Sequence, residues 1–220
     1  MGRNVERDER EARVRKDRIL WAGFRLFARR GIEAVSIQEI ADEAEVGVAT
    51  MYKYYQNKPN LVVNISALVW QDFLQECEKK VSMEDLKKLN AYELIAYYAD
   101  TMIWLYVNKP DVLRFSGDFK TYVNRENVPS EVVRVHLDPL SCLRELFHVQ
   151  YEMAKENGCI RTDIPEETMY TMTTITMLSM AERYAQGIVW ADNEQQDHEL
   201  ELRSLKEMLL DWATKKETAQ

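Results

Sequence analysis

Cysteine is scarce in this chain and poorly placed for cross-linking. Its three residues, Cys77, Cys142 and Cys159, are an odd number at separations of 65 and 17. That excludes a disulfide framework and matches no zinc-finger spacing. With no cationic cluster or Cys-x-x-Cys beside them, they are expected to be buried and inert. Glycine (7) and proline (5) are also few, too few for a loop-rich β fold or a doubly wound α/β fold. No apolar run approaches the ~18 residues that a bilayer span needs. The first residues, Met1-Gly2-Arg3-Asn4-Val5-Glu6-Arg7, alternate charge where a signal peptide would carry its apolar segment. A glycine-rich phosphate loop, a His-Glu-x-x-His pair and a nucleophile with an identifiable base are all missing. His136, His148 and His198 have no ligand-like spacing. The expectation is a cytoplasmic protein without membrane association, metal or cofactor, and not an enzyme.

What is present is helix. The 220 residues are 46% hydrophobic and 30% charged, enough for a sizeable core, and nearly every long segment repeats its apolar residues at helical spacing. Charge is unevenly divided. Residues 1–58 carry 12 Lys and Arg against 10 Asp and Glu, and the remainder 17 against 27. A slightly basic head on an acidic body suggests that only the head meets a polyanion.

The pattern predicts a first helix from about Asp8 to Arg30, ended by Gly31. Its opening carries Glu6–Arg10, Glu9–Arg13 and Glu11–Arg15 at i,i+4, and its later part buries Ile19, Ala22, Gly23, Leu26 and Phe27. Ser36-Ile37-Gln38-Glu39 has the form of a capping box opening a short second helix. Glu45-Val46-Gly47 breaks the pattern before a third helix over Val48–Tyr55, with Gly47 as an N-cap offering no side-chain acceptor. Longer helices are expected over Lys58–Lys80, Ala91–Val107 and Asp111–Tyr122. Others should run from Pro129 to Asn157, from Pro165 to about Ala191 and from Glu194 to Lys215. No repeat or low-complexity linker interrupts them.

Residues 19–61 form a unit: a bracing helix, a short helix, a tight turn and a second short helix. In such a helix-turn-helix the second short helix enters the major groove. Its chemistry suits DNA. Thr50, Tyr52 and Tyr54 offer hydroxyls to phosphates, Lys53 and Lys58 offer charge, and Val48 and Ala49 are small enough to approach base edges. The arginines at 3, 7, 10, 13 and 15 read more readily as a solvated, salt-bridged face than as a DNA clamp, although N-terminal arms do reach DNA.

Ile19-Leu20-Trp21-Ala22-Gly23, Leu26-Phe27, Gly31, Ser36 to Ala41 and the run Val46 to Lys58 with Leu61 resemble the DNA-binding domain of TetR/AcrR-family regulators. About 45 residues carry the resemblance; beyond them only helix number and length agree. It implies that Ser36 caps the second helix and touches a phosphate. It further implies that Val48 and Ala49 face bases, while Thr50, Tyr52, Lys53, Tyr54 and Lys58 hold the backbone. Two departures stand out. Gly47 replaces the family's usual Ser, and Tyr55 replaces its usual Phe at a core position, where the hydroxyl needs a partner.

In the body, the segment from Leu94 to Asn108 has one charged residue, Asp100. A helix apolar nearly all round is central, and its single carboxylate lies either on a wet stripe or inside a cavity with a partner. The resemblance implies that this helix walls an effector pocket. Tyr97, Tyr98, Asp100, Met102, Trp104, Tyr106, Phe115, Phe119, Phe147 and Met177 are the candidate lining residues, suited to a flat, apolar small molecule, with the one carboxylate favouring a cationic one. Plain core aromatics with Asp100 at the surface are an equal reading. The segment Thr168–Ala181 is uncharged and rich in Met and Thr, and the last helix bears Leu202, Leu205, Leu209 and Trp212 on one stripe. Two such helices per subunit could make a four-helix dimer interface through Met172, Thr176 and that stripe. Periodicity alone equally allows an intrachain contact.

The expected architecture is all-α: a three-helix helix-turn-helix DNA-binding domain over residues 1–57, then a larger helical effector-binding and dimerisation domain over 58–220. The expected function is a homodimeric, effector-responsive regulator, a repressor first and an activator second, binding a palindromic operator in double-stranded DNA. The alternatives are a helical adaptor whose helix-turn-helix serves protein contacts and, further off, a helical enzyme.

Overall fold

A computed structural model describes residues 2–137, 140–187 and 197–214, with side chains from residue 7. The described residues are helical throughout: α1 Gly2–Arg30, α2 Ile37–Glu43, α3 Val48–Tyr55, α4 Lys58–Lys80, α5 Met83–Leu86, α6 Ala91–Asn108, α7 Pro110–Arg125, α8 Ser130–Leu137, α9 Ser141–Asn157, α10 Glu166–Tyr170, a π-helical turn Thr171–Ile175, α11 Thr176–Ala185 and α12 His198–Thr214. None is long and apolar enough to cross a membrane. An all-α chain with a helix-turn-helix head is what the periodicity requires.

By packing, the chain forms two compact units: residues 1–73 with 118–139, and residues 74–117 with 140–220. The division falls inside α4 and α7, so each of these helices supplies residues to both units. The first unit is therefore larger than the 1–57 reading of the head. Its core joins Ile19, Ala22 and Phe27 of α1, Ile40 and Ala41 of α2, and Met51 and Tyr55 of α3 to Leu61, Ile65 and Val69 of α4. Gly23 gives α1 and α4 a close approach: a Cβ there would lie 2.5 Å from the Ile65 Cδ1 and would have to displace the end of that side chain. Gly31 ends α1 as expected, with φ +81° and its N–H on the Phe27 carbonyl at 2.8 Å.

The second unit is built around α6, which packs against α9, α11 and α12. Leu94, Ile95 and Tyr98 of α6 meet Leu146, Phe147 and Tyr151 of α9, Met169 of α10, and Leu210 and Ala213 of α12.

Several boundaries differ from expectation. α1 begins six residues earlier, α5 was not foreseen, and α7 reaches Arg125. The helix expected from Pro129 to Asn157 is two, α8 and α9. The next helix contains a π turn, where Thr176 Oγ1 donates to the Thr171 carbonyl five residues back at 3.2 Å. It ends at Ala185, before Gly187 at φ +71°. The termini placed at Ala191, Glu194 and Lys215 lie outside the described residues. Cys142 is exposed rather than buried, Cys77 and Cys159 are half-buried, and none of the three is in a disulfide.

Candidate nucleic-acid interface and effector core

The helix-turn-helix is held by a complete capping box. Ser36 Oγ accepts from the Glu39 N–H at 3.2 Å, and the Glu39 carboxylate accepts from the Ser36 N–H at 2.8 Å. Arg30 adds an ion pair to Glu39 at 2.7 Å. The Ser36 backbone N–H, then Arg30 and the Ser36 hydroxyl, hold the Glu39 carboxyl down at about 2. The Ser36 hydroxyl also donates to Glu39 Oε2 at 2.8 Å. Its proton is thus engaged inside the cap, and the structure supplies no separate donor for the phosphate contact expected of Ser36.

The turn from α2 to α3 places its left-handed residue at Glu45, φ +51°. Gly47 is an N-cap at φ −73° with nothing within 4 Å of the position a Cβ would take. Glycine is therefore not demanded by geometry there. Arg18 braces the turn, its Nη2 donating to the Glu45 carbonyl at 3.2 Å.

Helix α3 is anchored by Met51 and Tyr55, both buried. The Tyr55 hydroxyl finds the partner it needs, donating to the Lys16 carbonyl at 3.4 Å, and burial pushes its pKa up. With those two side chains turned inward, Ala49, Tyr52 and Lys53 are left uncovered, Tyr52 at 51% exposure. Val48, Thr50 and Tyr54 are half-buried. Tyr54 is engaged with α1, its hydroxyl accepting from Arg15 Nη1 at 3.5 Å and its ring 5.3 Å from Lys16 Nζ. Lys58 is half-buried at the start of α4, donating to the Glu33 carbonyl at 3.4 Å and lying 5.9 Å from the Tyr122 ring. Burial lowers its pKa. Six of the eight residues named from the sequence lie on α3, and its free face centres on three of them, Ala49, Tyr52 and Lys53.

The candidate effector residues do not form one group. Asp100 corrects the cavity reading: its side chain is 54% exposed and pairs with Lys206 at 2.6 Å. It lies on the wet stripe of α6, so it supplies no buried charge. Phe119 belongs to the first unit, its ring 4.5 Å from that of His136. Tyr98 and Phe147 are together in the core of the second unit. Phe147 is fully buried against Tyr151 and Tyr170, and the Tyr98 hydroxyl donates to the Leu143 carbonyl at 3.0 Å. Tyr97 and Met102 are half-buried; Trp104 lies under Lys80 Nζ at 3.4 Å. Tyr106 meets Tyr184, whose phenol burial pushes up to about 12 and which stacks on His198 at 4.3 Å. Phe115 and Met177 are buried.

Sequence reasoning missed the buried carboxylate of this unit. Glu182 of α11 is 5% exposed and accepts a 2.6 Å hydrogen bond from the buried Ser116 hydroxyl of α7. The signal was its place one residue beyond an uncharged helical stretch, four residues after Leu178 and one turn past the buried Met177. A second omission is His148, which the fold brings together with Glu152 and Glu166 so that one ligand atom of each lies within 4.8 Å of the others. His148 Nδ1 hydrogen-bonds Glu166 at 2.7 Å and Lys155 pairs with Glu152 at 2.5 Å, so each member of the group already has a partner.

The dimer stripe also needs correction. Leu202 and Leu209 are buried within the chain, Leu202 completely, and Leu205 and Trp212 are half-buried. They fasten α12 to its own unit, where it packs chiefly on α6. Thr176 is half-buried, while Met172 is exposed as expected. The uncovered apolar residues of these two helical segments are Met172 and Ile175 on one, and Leu200 and Met208 on the other.

Comparison with known proteins follows the same division. Residues 19–65 match the family model described as bacterial regulatory proteins, tetR family. The chain is similar, at 40% identity over 52 residues, to the transcriptional repressor KstR of Mycobacterium tuberculosis, a match that spans 24% of each chain. It thus matches about a quarter of the length of that curated relative. Over nearly the whole chain the fold is similar to the transcriptional regulator FadR from Bacillus subtilis, solved with stearoyl-CoA. That likeness has a TM-score of 0.65 and 16% identity, covering 89% of this chain and 97% of that one. A TetR-family transcription regulator from Marinobacter aquaeolei is similar at TM-score 0.65 and 18% identity, covering 96% and 100%.

Proposed function

We propose that the chain, whose residues 19–65 match the tetR family of bacterial regulatory proteins, is a homodimeric transcriptional repressor released from a palindromic operator by a small, largely apolar effector. The observation that carries the reading is the face of α3: Ala49, Tyr52 and Lys53 uncovered on a helix whose Met51 and Tyr55 are locked into the core. A rigid helix presenting a small residue, a phenol and an ammonium group is what groove recognition asks for. Tyr54, Thr50 and Val48 stand at its margin, and Lys58 and Ser36 support it through the cap and the start of α4.

The effector site belongs to the second unit. Its polar end is the Ser116–Glu182 pair, and Phe115 and Met177 supply buried apolar surface on the same two helices. Glu182 takes the role that sequence reasoning gave to Asp100. The dimer face is formed by Met172, Thr176 and Ile175 with Leu200 and Met208, apolar groups that a two-fold copy would remove from water. Because α4 and α7 contribute to both units, movement at the effector site has two continuous helices by which to reach the head. Coupling of ~1–3 kcal/mol is the ordinary scale for such linkage.

The test is selection of bound sites from a random duplex pool at a stated salt concentration. An enriched imperfect palindrome supports the regulator; failure to enrich any sequence, after unfolding and refolding to remove carried ligand, refutes it.

A further inference from the structure

Helices α9 and α10 bring three ligand-type side chains to one place on the second unit. His148 and Glu152 are four residues apart on α9, so they share a face one turn from each other. Glu166, the first residue of α10, reaches the same spot from the other helix. One donor atom of each lies within 4.8 Å of the other two, a triangle of one imidazole nitrogen and two carboxylate oxygens. His148 and Glu152 are exposed and Glu166 is half-buried, so an ion can reach the group from solvent.

The backbone beneath these side chains is well anchored. Phe147, Tyr151 and Ala154 of α9 and Met169 of α10 are buried in the core of the unit, and the Tyr151 hydroxyl donates to the Ile164 carbonyl just ahead of α10. Ligands projecting from fixed helices are what a coordination site needs. The present partners are weak competitors for a metal. His148 Nδ1 is bonded to Glu166 Oε2 at 2.7 Å, an interaction inside the group itself. Glu152 already holds a cation, the Lys155 ammonium at 2.5 Å, an exposed group on a flexible stem. The neighbouring Glu167 is taken up by Arg144, so Glu166 is the acid that α10 offers.

We propose that His148, Glu152 and Glu166 form a binding site for a zinc-type divalent cation that ties α9 to the start of α10. This departs from the expectation of a protein without metal, and it does not depend on the reading of α3. An imidazole with two carboxylates selects a borderline transition ion over calcium or magnesium, which take oxygen ligands. Bonds of ~2.0–2.2 Å to a tetrahedral zinc ion place the ligand atoms about 3.4 Å apart. The His148–Glu166 contact must therefore open slightly and the wider separations close, within reach of rotation about the side chains of two exposed residues. Three protein ligands leave the fourth position to water, the open form of a zinc site. The ion replaces the single charge of Lys155 on Glu152 with a double charge bonded to both helices. Because α10 leads directly into the π-helical turn Thr171–Ile175, the ion also steadies the segment that carries Met172 and Ile175.

The experiment titrates the metal-stripped full chain with zinc chloride, followed by calorimetry and thermal melting, with magnesium chloride in parallel. One zinc ion should bind per chain and raise the melting midpoint by roughly 3–6 °C once free zinc reaches about ten times its dissociation constant. Magnesium at the same concentration should do neither. His148→Ala and, separately, Glu152→Gln should each weaken zinc binding by at least ~10-fold, the loss that even an outer-sphere partner costs, with helical circular dichroism unchanged. Lys155→Ala removes the competing ammonium and should tighten binding by up to about fivefold. Cys142→Ser and His198→Ala remove other donors and should bind zinc as wild type does. No saturable binding at millimolar zinc would overturn the inference and leave the three side chains a salt-bridged surface cluster. Binding that survives both His148→Ala and Glu152→Gln, or that is lost with Cys142→Ser instead, would overturn it as well.

Discussion

His136 provides a pH-dependent term whose size follows from its surroundings. Its Nδ1 shares a 2.8 Å hydrogen bond with Ser66, which is fully buried on α4, and its ring lies against Phe119. Burial, and secondarily the charge of Lys120, lowers its pKa from 6.5 to about 4. The sign follows directly. Between pH 6.5 and 4 the unfolded chain binds a proton that the folded one does not, so stability is complete above 6.5 and declines as pH falls through that window. The displacement corresponds to about 3 kcal/mol at most, a large share of a typical domain's stability. Glu39, held at about 2 instead of 4.5, adds acid sensitivity as pH falls from about 4.5 to 2, so the comparison down to pH 5 reports chiefly the histidine. Urea midpoints should be measured at pH 7.5, 6 and 5 for wild type and His136→Gln, which keeps a hydrogen-bonding group but cannot charge. Wild type should lose about 2 kcal/mol more than the variant over that interval. Parallel losses would refute the argument that this imidazole is held neutral by the fold.

Gly47→Ser should be accommodated without strain, since its φ is ordinary and the Cβ position is open. It should raise stability by a few tenths of a kcal/mol through a new N-cap and tighten DNA binding, read by thermal melting and anisotropy. Leu202→Ala should destabilise the folded chain by roughly 2–5 kcal/mol, whereas Met208→Glu, at a side chain 68% exposed, should leave the fold intact and shift the chain toward monomer in sedimentation. Asp100→Asn removes one arm of an exposed pair with Lys206. Stability should change by less than ~1 kcal/mol, with effector response unaltered in a DNA-release assay.

The head was legible because its signals are local. A capping box, a Gly at a helix C-terminus and the inward spacing of Met51 and Tyr55 all operate within a few residues, and each appears where the sequence places it. The body was less so because its decisive facts are long-range. Asp100 is neutralised by Lys206, 106 residues away, and nothing in the periodicity of α6 distinguishes a surface carboxylate from a cavity one. The partner of Glu182 is 66 residues upstream on another helix. The stripe Leu202, Leu205, Leu209 and Trp212 was correctly recognised as apolar, but an apolar stripe reports that something covers it, not whether the cover is the same chain.

The central claim is that α3 reads DNA through its uncovered residues, and affinity for a selected duplex tests it directly. Tyr52→Ala/Lys53→Ala should lose at least 100-fold in affinity while keeping its helical circular dichroism. A control double variant, Lys87→Ala/Lys88→Ala, removes exposed charge from the second unit and should bind as wild type does. Equal losses in both variants, or none in either, would contradict the account.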